Sequence, residues 1–143
     1  MTPDQIALVQ ASFARLAPQA DAVARAFYDR LFAIDPALRA LFPADLTGQR
    51  AKLMQMLAAA VQGLSDVPAL LPVVASLGRR HAGYGVRREH YATVGQVLLD
   101  TLRSGLGADF TPRLAQAWSA VYTALASAMQ AGAEASPPLR MAA

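Results

Sequence analysis

No segment of this chain alternates apolar and polar residues as a half-buried strand would. Its apolar residues instead recur at helical steps between proline and glycine breaks. Thr2-Pro3-Asp4-Gln5 reads as a helix start, with Thr2 as cap, Pro3 in the first turn and Gln5 reaching back. Ile6, Val9, Phe13 and Leu16 follow, and Pro18 ends the run. Val23, Phe27 and Leu31 mark a second helix, with Tyr28 and Phe32 on the adjoining row. Asp35-Pro36 opens a short third helix reaching about Phe42, and Pro43 to Gly48 forms a corner. Thr47 or a neighbour caps a fourth helix carrying Leu53, Leu57, Val61 and Leu64.

Asp66-Val-Pro68 starts a fifth helix, in which Leu70, Leu71, Val74 and Leu77 lead up to His81 before Gly83 and Gly85 break it. A long helix from about Glu89 has Val94, Val97, Leu98 and Leu102 as its core face, and Gly105 and Gly107 end it. Thr111-Pro112 caps the last helix. The pattern predicts an all-α chain of about seven helices, one domain over residues 1–135 with a flexible tail at 136–143.

Hydrophobic residues make up 55% of the 143 and charged residues 16%, enough apolar surface for a large core or an apolar ligand cavity. The formal charge is only +3 and the arginines look scattered, which argues against nucleic acid as a partner. With no cysteine there is no disulfide framework, zinc-finger spacing or thiol nucleophile. No signal-peptide pattern opens the chain, so a cytoplasmic location is expected. Leu114 to Ala133 is uncharged and long enough to cross a bilayer. Ser119, Thr123, Ser127 and Gln130 form a polar stripe along it, opposite Leu114, Trp118, Val121, Leu125 and Met129, as in an amphipathic helix rather than a membrane span. Gly83-Tyr-Gly85 lacks the third glycine and the preceding strand of a dinucleotide fingerprint.

Two histidines leave few metal ligands. His81 lies four residues after Leu77 and seven after Val74, on the apolar face at a helix end. On its own it reads either as a hydrogen-bonded core histidine or as a neutral imidazole held for a metal, with the Leu77 carbonyl as acceptor for its second nitrogen. Phe42 reads as a core aromatic, Tyr28 as a boundary tyrosine and Gln49 as a first-turn surface residue.

Three blocks change that balance. They are Ala26 to Phe32 followed by Asp35-Pro36 and Leu41-Phe42; Gly48 to Leu53; and Leu70 through Arg80-His-Ala-Gly-Tyr-Gly-Val to Gly95, with Ala117-Trp118 and Tyr122 beyond. In order and spacing the chain resembles the bacterial single-domain globins, relatives of the globin half of flavohaemoglobins, from Ile6 to about Ala133.

The resemblance implies a globin fold around haem b (iron protoporphyrin IX), with His81 as the proximal iron ligand and Phe42 wedged against the haem plane. It matches Tyr28 and Gln49 to a distal pair that stabilises a diatomic ligand, with Leu53 as their apolar neighbour. Leu77, Tyr84, Tyr91 and Val94 are expected at the haem, and Lys52, Arg79, Arg80 and His90 are candidates for its propionates or edge. The family's proximal tyrosine matches Tyr91. Its partner acid, however, falls at Ala133, with Glu134 one place later, a turn of about 100° on a helix. That departure weakens any expectation of peroxidase-like chemistry.

The function so implied is reversible binding of oxygen, nitric oxide and carbon monoxide at a five-coordinate or weakly six-coordinate iron. Nitric oxide scavenging or dioxygenation would draw on an external reductase. An oxygen or nitric oxide sensor, or a partner-binding module without turnover, is the alternative. Monomer and homodimer both stay open.

Overall fold

Thr2 caps the first helix as its sequence predicts. Its hydroxyl accepts the Gln5 N–H at 3.1 Å, and the Gln5 side chain accepts the Thr2 N–H at 3.0 Å. In the computed structural model, which describes residues 1–135, six α-helices follow in order. They are α1 (Pro3–Leu16), α2 (Ala20–Ile34), α3 (Thr47–Gly63), α4 (Val67–Gly83), α5 (Arg88–Leu106) and α6 (Pro112–Ala135). The tail expected at 136–143 lies outside the described residues.

The short third helix is present as a 3-10 helix, Pro36–Leu41, and with the six α-helices it makes up the expected total of about seven. At the start of α3 it is the neighbour Asp45, not Thr47, whose side chain bonds to the first turn, accepting the Thr47 N–H at 3.0 Å. Two expectations need correction. Gly105 lies within α5 rather than ending it. Leu71, read as core, is exposed on α4. Asp66 and Thr111 do cap α4 and α6, accepting the N–H groups of Ala69 and Leu114.

The core gathers one face from each long helix: Val9 and Phe13 from α1, Leu31 from α2, Val97 from α5, and Trp118 and Val121 from α6. The stripe Ser119, Thr123 and Ser127 faces outward on α6, opposite buried Leu114, Trp118 and Val121. Thr47–Gly83 is apolar and long enough to match a membrane span, but the 3-10 turn Leu64–Asp66 divides it into α3 and α4. Only 22% of its most apolar window is buried, so these two helices keep partly open apolar faces.

α4 and α6 cross at glycine-sized separation. A Cβ on Gly78 would lie 1.9 Å from the Met129 carbonyl oxygen, and one on Gly132 would lie 2.1 Å from that of Ala75. Glycine costs about 1 kcal/mol relative to alanine inside a helix. Two helical glycines at one crossing therefore reflect backbone contact rather than helix preference. The crossing sets where the end of α4, and so His81, stands against the body of the protein.

Candidate functional site

Four aromatic rings meet where α2 faces the segment after the 3-10 helix. Tyr28 has Phe27 edge-on at 5.1 Å between centroids, Phe32 stacked at 5.8 Å and Phe42 edge-on at 5.4 Å. Phe42 lies outside the helices, and Arg39 fixes the chain there. Its guanidinium donates to the carbonyls of Phe42, Pro43 and Ala44 and sits 5.3 Å from the Phe32 ring. Sequence reasoning missed Arg39, because its acceptors belong to an irregular segment without periodicity.

Gln49, in the first turn of α3, donates its amide Nε2–H to the Tyr28 hydroxyl at 3.1 Å. An amide nitrogen cannot accept, so this bond leaves the phenol's own proton free to donate elsewhere. Tyr28 is only 3% exposed. Burial pushes its pKa above the ordinary 10.0, with the Gln49 hydrogen bond opposing. Leu53 is buried one turn after Gln49. The helices carrying the pair are tied at the surface, where Asp21 of α2 accepts from Arg25 at 2.8 Å and from Arg50 of α3 at 3.3 Å.

His81 stands in the last turn of α4, half-buried. Its Nδ1–H donates to the Leu77 carbonyl at 2.9 Å, the acceptor one turn earlier that the spacing predicts. A carbonyl only accepts, so Nδ1 carries the proton, and in the neutral ring the lone pair is therefore on Nε2. Burial lowers the His81 pKa from its usual 6.5; the Leu77 bond opposes this, and the neighbouring Arg80 charge lowers it further. The side chain is therefore held as the neutral imidazole that metal ligation requires.

The other expected residues are less gathered. Tyr84 caps the end of α4, 67% exposed, its ring 6.3 Å from that of His81. Lys52, Arg79 and Arg80 point into solvent. His90 Nδ1 accepts the Arg87 N–H at 2.9 Å and so closes the first turn of α5. Val94 packs against the core, half-buried. Tyr91 is half-buried; its backbone carbonyl accepts the Tyr122 hydroxyl at 2.6 Å. Tyr91, Ala133 and Glu134 line one cavity of about 320 Å³ with Ala82, Val86, Arg88 and Gln130. The Glu134 carboxylate accepts from Arg88 at 3.3 Å rather than from Tyr91.

Among the described residues no group of three or more His, Cys, Asp or Glu side chains converges as a metal site would. A metal held by protein side chains alone does not fit this donor set. A metal brought inside an apolar cofactor and gripped by one axial imidazole does: His81 is neutral and oriented, and aromatic side chains stand ready beside Tyr28.

The globin family model matches residues 25–129. The chain is 40% identical over 130 residues to a flavohemoprotein of Bordetella parapertussis, a match covering 88% of this chain but 32% of that protein. The chain thus spans about a third of the length of that relative. It is 37% identical over 119 residues to neuroglobin of Danio rerio, covering 73% of this chain and 75% of neuroglobin. Among solved structures, it is similar to an engineered carbene transferase built on a protein of Rhodothermus marinus proposed to be a nitric oxide dioxygenase. That match has a TM-score of 0.83, 29% identity and 94% of each chain covered. A bacterial globin of Campylobacter jejuni shares the fold at a TM-score of 0.82 and 20% identity, over 94% of this chain and 97% of its own. The α-helical architecture, the oriented His81 and these likenesses lead to one conclusion: the chain belongs to the globin family.

Proposed function

We propose that this globin holds haem b through His81 and binds oxygen, nitric oxide and carbon monoxide reversibly. When bound, the haem supplies an iron that takes diatomic gases. The observation that carries the reading is the buried Tyr28 hydroxyl paired with Gln49 at 3.1 Å. A phenol with its proton free and its oxygen already satisfied is a donor awaiting an acceptor. Such a donor discriminates between gases by charge: it favours a ligand that gathers negative charge, as dioxygen does, over carbon monoxide, which gathers little. Phe42, Phe32 and Phe27 keep the surroundings of that hydroxyl apolar, which strengthens its hydrogen bond by excluding competing water. Phe42 would flank the haem plane, and Leu53 and Leu77 would line its two sides. Lys52 and Arg80 are the cations for its propionates.

The activity proposed for this chain is nitric oxide dioxygenation. Nitric oxide, dioxygen and one electron give nitrate, and a separate reductase provides the electron. The likeness to the Rhodothermus protein and to flavohemoproteins supports this reading. Glu134, engaged with Arg88, does not reinforce the His81 imidazole, and peroxidase-like turnover is not part of the proposal.

The test is spectroscopic. Purified protein reconstituted with haem should retain colour through dialysis, shift with carbon monoxide, and lose both properties in His81→Ala. Haem-loaded protein is then reduced with dithionite, freed of excess reductant and equilibrated with oxygen. On mixing with nitric oxide it should yield one nitrate per haem, the electron coming from the ferrous iron, and repeated turnover only when a flavin reductase and NADH are added. Absence of colour after reconstitution sinks the haem assignment. Colour without nitrate leaves gas binding and removes dioxygenation.

A further inference from the structure

The joint between α4 and α5 is rich in arginine. Arg79, Arg80, Arg87 and Arg88 fall within ten residues of sequence around it. Three carboxylates stand against them: Glu89 beside Arg88, Glu134 on Arg88, and Asp35, which lines a recess with Arg87. Arginine is in excess by one.

Helix stability does not account for all of them. Arg79 and Arg80 stand near the C-terminus of α4, where the helix dipole favours cations. Arg87 is the N-cap of α5 and Arg88 its first residue, where the same dipole opposes positive charge. Pairing absorbs little of it. Arg87 reaches Glu89 at 3.7 Å and Arg88 reaches Glu134 at 3.3 Å, each pair well exposed. Arg79 and Arg80 meet no carboxylate among the described residues.

An apolar centre accompanies the charge. Tyr84 is 67% exposed between the arginine pairs, with its ring 6.3 Å from the His81 imidazole. Leu41, also exposed, reaches the corner beside Gly85, where a recess of about 250 Å³ opens. An exposed aromatic flanked along the chain by two arginine pairs has the composition of a protein-binding hot spot.

We infer that this corner, with Tyr84 at its centre and Arg79, Arg87 and Arg88 around it, docks an electron-donor protein that presents an acidic face. The inference rests on the proposed need for an external reductase. The donor loses one electron, and the oxidised iron of the haem form gains it. The arginines steer the encounter and set its orientation beside the helix that carries His81, and Tyr84 supplies the contact once water is displaced.

The probe is flavodoxin, a strongly acidic flavoprotein, used with the haem-loaded full chain. Immobilised oxidised flavodoxin should bind the wild type with an association rate that falls steeply with salt. Stopped-flow reduction by flavodoxin hydroquinone should show the same dependence. Arg79→Glu, Arg87→Glu and Arg88→Glu together should slow both by about tenfold or more at low salt and flatten the salt slope. The triple glutamine variant should do so by a smaller factor, which guards against a folding defect. Reversing Arg25, Arg103 and Arg113 matches the change in net charge elsewhere and should slow both far less.

Equal losses in the corner and control variants overturn the site. So does loss of haem affinity in the corner variants with flavodoxin binding intact, which would give the arginines to the propionates. Corner-dependent binding to phosphatidylglycerol vesicles, with flavodoxin binding unchanged, overturns it in favour of a membrane surface. Nitrate formation after reduction with dithionite needs no partner, so it reports on the dioxygenase reading separately.

Discussion

Gly78 of α4 and Met129 of α6 touch backbone to backbone: a Cβ on Gly78 would lie 1.9 Å from the Met129 carbonyl oxygen. The neighbour is main chain, so no side chain can rotate away, and a methyl group must push the helices apart. Gly78→Ala gains about 1 kcal/mol of helix propensity. Overpacking against backbone costs about 3 kcal/mol, which wins. A net loss of about 2 kcal/mol is expected in urea unfolding, with weaker haem retention because His81 lies three residues on. Gly48→Ala is the control: its Cβ would meet nothing within 4 Å, and stability should hold or rise slightly.

The core offers a second test independent of any cofactor. Trp118 donates its indole N–H to the Ser12 hydroxyl at 2.8 Å, and that hydroxyl donates in turn to the Val9 carbonyl at 3.0 Å. Ser12 and Trp118 are both buried, so Ser12→Ala strands the indole N–H away from water. A loss of about 1–3 kcal/mol is expected. Trp118→Phe removes the stranded donor, so adding it to Ser12→Ala should cost less than the sum of the two single changes. Strict additivity would show that the bond contributes nothing to stability.

What could be read in advance follows from how local each signal is. Helix starts were legible at Thr2, Asp66 and Thr111 because a cap bonds to N–H groups within three residues. The His81 to Leu77 bond was legible for the same reason, since helical geometry alone brings a side chain to a carbonyl one turn back. Pro36–Leu41 was not recognisable as a 3-10 helix, because six residues hold too few turns to tell one period from another. The bonds of Arg39 and the Gly78 crossing depend on which segments meet in space. No pattern within one helix encodes them.

The proposed gas-site role of Tyr28 and Gln49 makes a kinetic prediction. Tyr28→Phe removes the free phenol proton while keeping the aromatic ring among Phe27, Phe32 and Phe42. A hydrogen bond to a ligand carrying negative charge contributes about 1.5–3 kcal/mol, so the oxygen dissociation rate should rise by roughly ten- to a hundredfold. Carbon monoxide dissociation should change far less. Gln49→Leu should raise the oxygen rate too, since Tyr28 then loses the bond that orients it. Flash photolysis and stopped-flow displacement measure both gases. An unchanged oxygen rate in Tyr28→Phe would remove Tyr28 from the gas site.

The same hydroxyl sets an alkaline limit. A phenol donates only while protonated, and burial raises the Tyr28 pKa above 10.0, outweighing the opposing bond from Gln49. Because the folded pKa exceeds the unfolded one, the stability this neutral group lends is complete below pH 10. It is lost as pH rises through the raised value. Its capacity to donate to a ligand follows the same course. Oxygen dissociation from the wild type should therefore stay level from pH 6 to about pH 10 and accelerate only above it. In Tyr28→Phe the rate should be fast throughout, with no alkaline rise. An acceleration beginning near pH 8 in the wild type would mean that a group other than this buried phenol governs release.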